Sequence, residues 1–583
     1  MTRSPGEPVL ADIPVADLRL AALAFGVVLA ARVTPPLAVT PFVVLVAVGP
    51  LAWAGVRRRT PVLLALALLL TVTARSATEL RALQRPLPRG TVSGVGRLVT
   101  DPRPGPYGER VVVDLAGRRY DATAPRAAAV DLSSFLAGQH LWVEGGVRPL
   151  SGAPPGWMRA NHLAGRMTLR EVRPSGGEDL WFRVPNVLRR RIDRSTTGMD
   201  DSRRALFLGL VIGDDRFQSD LQRYRFRAAG LSHLLAVSGQ NVSFVLALVA
   251  PVLRRAGPRL SLCVSVPLLG LFALVTRAEP PVLRAVIMAL IGLLALRSER
   301  EVGALRLLAL TVVVLVLVDP LIVHSVGFQL SALATLGLVL LARRLAELLP
   351  GPRALRSALG VTLAAQLATA PVILGFSPAL PAVAPLANLL AVPVAGAVMM
   401  AGLTAGPLAG SIRADVAGLL MTPVGWLVDF VDGVATGASR APLVPLSPWR
   451  FTAVVILVVL WLSARRNHAR WYVRSVPIVL LVLLLIPRPL GTGTMPLASS
   501  ALLQRQPCGP LLLDLNKGAD GVEVLEALQP LGVTSVAAIL HDDSPSARRA
   551  AHLVAEQLAL DPRAVLIQNG EDPMADSSGP GAC

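Results

Sequence analysis

Lysine is almost missing from this 583-residue sequence, where Lys517 is the only one. Charged residues of both signs reach just 16%, and aromatics 4%. Soluble globular chains carry about a quarter charged residues. With 53% hydrophobic residues and a mean hydropathy of +0.57, an ordinary soluble domain is excluded. Disorder is excluded too, because disordered chains are poor in apolar residues. The three cysteines, Cys263, Cys508 and Cys583, form no CxxC pair, which speaks against a disulfide framework or a structural zinc site. No GxxxxGK[ST] loop occurs, so the chain does not supply ATP-driven force by that route. The first apolar run, 18–33, is followed directly by others and shows no cleavage site of a signal peptide.

What is present is a series of apolar runs on the scale of a membrane span, about 20 residues. They lie near 18–34, 37–56 and 61–75, then near 231–253, 260–276, 281–296, 303–318, 321–342, 357–376, 383–408, 415–437, 451–464 and 475–487. The fold class expected is a polytopic α-helical membrane protein of about 11–13 spans. The basic excess, a formal +19, is largely arginine between alternate spans. Arg57, Arg58 and Arg59, then Arg254, Arg255 and Arg259, then Arg297, Arg300 and Arg306, then Arg343, Arg344, Arg353 and Arg356, and finally Arg465, Arg466, Arg470 and Arg474 alternate with arginine-poor loops. By the positive-inside rule the rich loops and the N-terminus are cytoplasmic. The interval 76–203 and the tail after 488 then face outward, from a bacterial cytoplasmic membrane.

The outward interval reads as β. Runs at 91–100, 110–115, 118–124, 140–147 and 166–172 are separated by turn signals such as Asp101-Pro-Arg-Pro-Gly-Pro. Five short strands in this length suit a small OB-like barrel over 76–175. Its arginines, among them Arg97, Arg110, Arg118 and Arg119, are not required by topology and are candidates for contacting a polyanion such as a nucleic acid, or else an ordinary solvated surface. The aromatics Tyr107, Tyr120, Phe135, Trp142 and Trp157 are read mostly as core. Between 176 and 229 lies a bridge. There Leu180, Val184, Val187 and Leu188 interleave with Arg183, Arg189, Arg190 and Arg191, the pattern of a helix lying in the membrane interface.

Polar groups inside apolar runs are costly and line cavities or bond between helices. The densest set is Gly230-Leu-Ser-His-Leu-Leu-Ala-Val-Ser-Gly-Gln-Asn, which brings His233, Ser238, Gly239, Gln240 and Asn241 to the start of a span. Arg284 lies four residues into another, with a stem long enough to snorkel outward. Gln329, Gln366 and Asn388 sit deeper. Together they outline a polar path through 230–487.

At this point the sequence resembles the ComEC family of competence proteins. The resemblance rests on Leu208-Gly-Leu-Val-Ile-Gly-Asp214, Gly230-Leu-Ser-His-Leu-Leu-Ala-Val-Ser-Gly239, Pro281-Val-Leu-Arg-Ala-Val-Ile-Met288, Gly327-Phe-Gln-Leu-Ser331 and Ala387-Asn-Leu-Leu-Ala-Val-Pro393, in that order. It implies a channel, not an enzyme, that passes single-stranded DNA across the membrane during natural transformation. It implies as partners the bilayer, an outside DNA receptor, a cytoplasmic motor or strand-binding protein, and further copies of the chain. Asn241 stands where the family often has a second histidine. The family's C-terminal domain resembles a metallo-β-lactamase with an HxHxDH cluster. Here the corresponding run is His541-Asp-Asp-Ser-Pro-Ser546, so 488–583 is expected to be a truncated remnant without metal, cofactor or nuclease activity. From the residues alone two other readings stay open. One is a membrane-embedded hydrolase using His233 and Ser238, the other a small-solute transporter.

Overall fold

The structure, a computed structural model, describes residues 14–33, 61–88, 90–105, 107–125, 132–150, 154–235, 239–255, 258–297, 302–466, 471–485, 493–505 and 511–567. The chain divides into two compact units. One comprises Met1–Phe217, Leu234–Val372 and Gly396–Trp426, the other Gln218–His233, Ile373–Ala395 and Leu427–Cys583.

The first unit holds a β domain of six strands: β1 (Thr91–Leu98), β2 (Arg103–Gly105), β3 (Gly108–Leu115), β4 (Arg118–Pro125), β5 (Gln139–Arg148) and β6 (Leu163–Glu178). Strand β2, too short to stand out by pattern, was not among the five expected. It pairs with the start of β3, Arg103 opposite Arg110. β1 pairs antiparallel with both β3 and β5. β4 and β6 are the one parallel pair, so the pairings β1-β5-β6-β4-β3 return to β1. Alternation along β3 and β4 sends Val111, Val113, Leu115, Tyr120 and Ala122 inward, where Leu98, Leu141, Val143, Met167 and Leu169 meet them. Between Glu144 and Gly145 the register shifts, and a Cβ at Gly145 would stand 2.5 Å from the Thr168 carbonyl oxygen. Glycine there lets β5 and β6 bend tightly together.

The reading of most of the aromatics as core holds for Tyr120 and for Phe135, which packs against the buried cluster, and is corrected for the other three. Tyr120 is buried, but Tyr107 is 82% exposed, and Arg110 and Arg173 lie over the rings of Trp157 and Trp142. Aliphatic side chains from the alternating strands already fill the interior, which leaves the larger rings on the rim.

Four helices among the described residues are long and apolar enough to cross a membrane: Val62–Gln84, Val326–Leu348, Ala384–Ala409 and Ala414–Ser439. Six more are apolar but shorter: Gly239–Pro251, Leu260–Val275, Pro280–Ala295, Ala304–Val318, Pro448–Trp461 and Ser475–Leu485. The helix Val15–Val33 carries Asp17, whose buried carboxylate accepts from Arg306 Nε at 2.7 Å. The expected run 37–56 lies outside the described residues. The helix beginning at Pro61 continues to Gln84, past the expected end at 75.

Small residues set the spacing of the helices Val326–Leu348 and Arg353–Ile373. A Cβ at Gly337 would stand 2.5 Å from the Ala364 carbonyl oxygen, and one at Gly360 2.7 Å from that of Ala342. Apolar helices in lipid gain little from the hydrophobic effect and associate through such close approach. Gly360→Leu is expected to over-pack this seam by about 1–3 kcal/mol. In thermal melts of the full chain in detergent it should lower the midpoint by several degrees. Gly292→Ala, at a site with nothing within 4 Å, should not.

In the second unit, strands β7 (Gly493–Ala498), β8 (Ala501–Arg505), β9 (Leu511–Leu515), β10 (Ala538–His541) and β11 (Val565–Ile567) form a sheet in the order β11-β10-β9-β8-β7. β9, β10 and β11 are parallel, the rest antiparallel. The helices Gly521–Leu528 and Pro545–Leu558 cover it. A third helix, Asp220–Ala228, drives Leu221, Tyr224 and Ala228 into the same core. Arg225 Nε donates to Gln557 Oε1 at 2.9 Å. Arg440 donates to the carbonyls of Gln557 and Glu556 at the end of the helix Pro545–Leu558. A cation at a helix C-terminus satisfies orphan carbonyls and the helix dipole together.

Candidate functional site

Three of the sequence motifs meet in the first unit. Arg284, on the helix Pro280–Arg297, is only 7% exposed. Its Nε donates to Ser331 Oγ at 2.7 Å, and its Nη1 lies 3.2 Å from Met288 Sδ. Gly239 lies in the helix Gly239–Arg255, and a Cβ there would stand 2.5 Å from Arg284 Nη2. The glycine of the Ser-Gly pair, the arginine of Pro281-Val-Leu-Arg and the serine of Gly327-Phe-Gln-Leu-Ser331 therefore form one contact. Arg284 does not snorkel, because its head is pinned inside the bundle. Gln329 is turned back on its own chain, its Nε2 donating to the Val323 carbonyl at 2.8 Å. Asn241 and Gln366 are half-buried, on the helices Gly239–Arg255 and Arg353–Ile373. Ser238 lies outside the described residues.

His233 and Asn388 belong to the second unit. His233 stands exposed on the single-turn helix Ser232–Leu235. Asn388 is buried and donates to the Ala384 carbonyl at 2.9 Å, while its Oδ1 has no partner among the described residues. Gly230, at φ +73°, lies against Ala384, where a Cβ would come within 2.3 Å of the Ala384 Cβ. The Gly230 turn and the Asn388 helix thus share one contact point.

The four arginines chosen on the β domain differ in their commitments. Arg97 is shared between Asp114 at 3.4 Å and Asp179 at 3.1 Å. Arg110 forms a two-pronged pair with Asp121 at 2.6 and 2.7 Å, which raises its pKa further. Arg118 donates to the Pro86 carbonyl. Arg119 has no ion pair among the described residues. Exposed, partnered arginines keep part of their field for a polyanion, but Arg110 is the most thoroughly neutralised.

Sequence reasoning missed a second constellation, a buried charge network. The helix Leu180–Arg194 leaves Leu180, Trp181, Val184 and Val187 exposed, Trp181 at 79%, and buries Arg189 to 3% exposure. This corrects the expectation that Arg189 faces headgroups with its neighbours; Arg183, Arg190 and Arg191 remain exposed. Arg189 Nη2 donates to Asp101 and to Asp214, both at 2.9 Å. Its Nη1 donates to the carbonyls of Ile212 and Val275, at the ends of two helices. Arg277 forks onto Asp101 at 2.9 and 2.6 Å, and Arg216 forks onto Asp214 at 2.7 Å twice. Local backbone delivers each group. Gly213 in the left-handed region ends the helix Asp201–Ile212 and turns Asp214 inward. Arg277 and Ala278 hold φ of +61° and +52°, strain of about 1–3 kcal/mol each for non-glycine residues, which the Asp101 pair offsets. The one advance signal was Gly213-Asp214 closing the Leu208–Asp214 motif that carries the family resemblance; Arg189 was hidden in a run of three arginines.

Burial alone would raise the pKa of Asp101, but Arg189, Arg277 and Arg216 outweigh it and hold the carboxyl well below its usual range. Asp214 is depressed in the same way by Arg216 and Arg189. Glu279, beside the network, moves the other way. Burial raises it to about 7, with Asp215 adding and Arg103 and Arg189 opposing.

Residues 210–468 match the family model for Competence protein. The matched stretch includes the Gly239–Arg284–Ser331 contact, His233, Gln329, Gln366 and Asn388, and the Asp214, Arg216 and Arg277 share of the network. It leaves out the β domain and the C-terminal sheet. No curated protein and no solved structure matches the chain.

Removing one member of a buried ion network leaves an uncompensated charge and costs about 3–5 kcal/mol. Arg189→Gln is accordingly expected to destabilise the full chain by that amount, read from the yield and melting temperature of folded protein in detergent. Asp101 and Asp214 give stability that is present above the ordinary carboxylate pKa and lost as pH falls below about 4. Glu279 has the opposite sign: its contribution is present below its unfolded pKa near 4.5 and lost as pH rises through 7. Glu279→Gln should therefore flatten the fall in melting temperature between pH 5 and pH 8 and leave the acid limb unchanged.

Proposed function

We propose that the chain is a membrane channel that passes single-stranded DNA into the cytoplasm during natural transformation. The observation that carries this reading is the match of 210–468 to the competence family model, together with the Gly239–Arg284–Ser331 contact inside it. A polyanion crossing hydrocarbon needs neutral or basic hydrogen-bonding groups along its way and no acidic ring. Arg284, Ser331, Gln329, Gln366 and Asn388 are of that kind.

The β domain is read as an OB-like barrel that receives the strand outside the membrane. The returning circuit of pairings with one parallel pair supports this, as do exposed Tyr107 and the arginine-covered Trp142 and Trp157 on its rim. OB folds bind single strands through basic grooves and aromatic stacking. The exposed apolar stripe of Leu180, Trp181, Val184 and Val187, flanked by Arg183, Arg190 and Arg191, supports a helix lying in anionic headgroups. The N-terminus is assigned to the cytoplasm and the two β domains to the outside.

The C-terminal sheet is read as a remnant of a metallo-β-lactamase-like domain without hydrolytic function. Its residues do not fit a dinuclear metal site. Asp543 pairs with Arg548, Ser544 caps the helix Pro545–Leu558 through its side chain, and Pro545 offers no ligand. Asp514 and His541 are buried at strand ends. His541 Nδ1 is 2.7 Å from the Asp542 carbonyl. No group of three or more His, Cys, Asp or Glu side chains that could hold a metal occurs among the described residues. A receptor, a cytoplasmic motor or strand-binding protein and further copies of the chain are the partners this reading calls for.

The test is uptake by a transformable host. With the gene deleted, labelled DNA should still bind the cell surface, while its entry into a nuclease-protected cytoplasmic pool should fall by at least about 100-fold. Undiminished internalisation would remove the channel reading.

A further inference from the structure

The C-terminal sheet shares its core with a helix from far upstream in the chain. The helix Asp220–Ala228 has nine residues, too few to be stable alone in water. Its apolar side, Leu221, Tyr224 and Ala228, completes the core under the sheet, and Tyr224 Oη donates to the Leu525 carbonyl at 3.3 Å. Its polar side chains are also engaged. Arg227 pairs with Glu526, and Gln222 Nε2 lies 3.5 Å from Asp432 Oδ1 on the helix Ala414–Ser439. Gln557, 2% exposed on the helix Pro545–Leu558, joins three elements at once. Its Oε1 accepts from Arg225, its Nε2 donates to Ser439 Oγ at 2.9 Å, and its carbonyl accepts from Arg440 Nε at 2.7 Å. The last turn of the helix Asp220–Ala228 in turn carries one of the family motifs. The amides of Ala229, Gly230 and Leu231 donate to the carbonyls of Arg225, Arg227 and Phe226 at 2.9, 3.0 and 2.8 Å. Gly230, at φ +73°, reverses the chain there and rests on Ala384, Leu231 is fully buried, and His233 follows two residues later.

We propose that the C-terminal domain is a positioning domain: it seats the helix Asp220–Ala228 and so fixes the Gly230–His233 turn against the helix Ala384–Ala409. The role needs no metal and no catalytic side chain. It needs a core that an upstream helix completes and a few buried polar bonds that set where that helix lies. Gln557 is a positioning residue in this sense, acting on the turn through Arg225. Buried hydrogen bonds are exacting in geometry, so a bond made by Gln557 is felt at the turn that the same helix ends in. The mechanical link does not rest on the channel reading; its consequence for DNA passage does.

The test is amide hydrogen exchange on the full chain in detergent, read at 229–231, with DNA uptake in a transformable host as the functional arm. Exchange reports the local opening of each segment separately. Gln557→Ala removes the acceptor of Arg225 and the donor to Ser439 without touching the turn. It should speed exchange at 229–231 by about tenfold and leave β9 unchanged. Internalised DNA should fall by about tenfold at equal surface binding and equal membrane level. Arg227→Glu and Glu526→Arg should each speed exchange at 229–231 by about two- to fivefold, and the two together should restore it, which general destabilisation does not do. Unchanged exchange at 229–231 in Gln557→Ala overturns the proposal. If β9 loosens as much as the turn, the domain itself has opened, and the charge-swapped pair decides: a double variant no better protected than either single one overturns the proposal. Normal uptake by Gln557→Ala overturns it as well, where deletion of the gene abolishes uptake. Where deletion leaves uptake intact, the channel reading alone falls, and exchange decides the positioning role.

Discussion

The first unit depends on one side chain. Arg189 receives nothing and donates to four oxygens from four places: Asp101 before β2, Asp214 after the helix Asp201–Ile212, and the terminal carbonyls of Ile212 and Val275. Two of the acceptors are the last residues of helices and two lie in connections, so one guanidinium ties helix ends and connections to a single point. Asp101 also accepts from the Ala137 amide inside the β domain. A domain of strands and a set of helices are thereby held by charge-assisted bonds in a place from which water is excluded, where such bonds are strongest and most exacting in geometry.

Much of the architecture is legible because it follows from periodicity and length. Alternation gave β1, β3, β4 and β5 nearly to the residue, and the helix Leu180–Arg194 lies where the interleaved apolar residues and arginines pointed to a helix. The Pro and Gly signals between strands mark turns for reasons of backbone geometry alone. What pattern does not carry is pairing across long separations. Arg189 and Asp101 are 88 residues apart, and Arg277 and Asp101 176. Nothing local distinguishes Arg189 from Arg190, yet one is buried and the other exposed. Helical geometry explains it after the fact. Arg189 shares a face with Pro185, Asn186 and Ile192, all buried, whereas Leu180, Val184 and Val187 face outward. In a chain beside lipid, the rule that apolar residues point inward reverses.

The candidate site was legible in composition and not in arrangement. Five motifs named the polar residues, and the structure joins three of them at Arg284. Gln329 bonds within its own segment, and Asn388 belongs to the other unit. A glycine packed so closely on a guanidinium that a Cβ would stand 2.5 Å from it is a relation that no spacing rule contains, because it depends on which helices lie side by side. The β-domain arginines make the same point in reverse. Charge alone ranked Arg97, Arg110, Arg118 and Arg119 together. Geometry separates Arg110, locked to Asp121, from Arg119, which has no ion pair among the described residues.

The two kinds of buried arginine divide the labour of the first unit. A network such as Arg189 with Asp101 and Asp214 has its opposite charges built in, so it is rigid and has no vacancy for a ligand. Arg277 and Arg216 even leave it with more guanidiniums than carboxylates, and Glu279, beside them, is pushed towards neutrality instead of being recruited as a third anion. Arg284 is the converse: a fixed cation whose counter-charge the chain withholds. The same guanidinium group thus serves as a charge-paired joint at Arg189 and as a hydroxyl-bonded contact between helices at Arg284, and the difference lies in whether a carboxylate stands within reach.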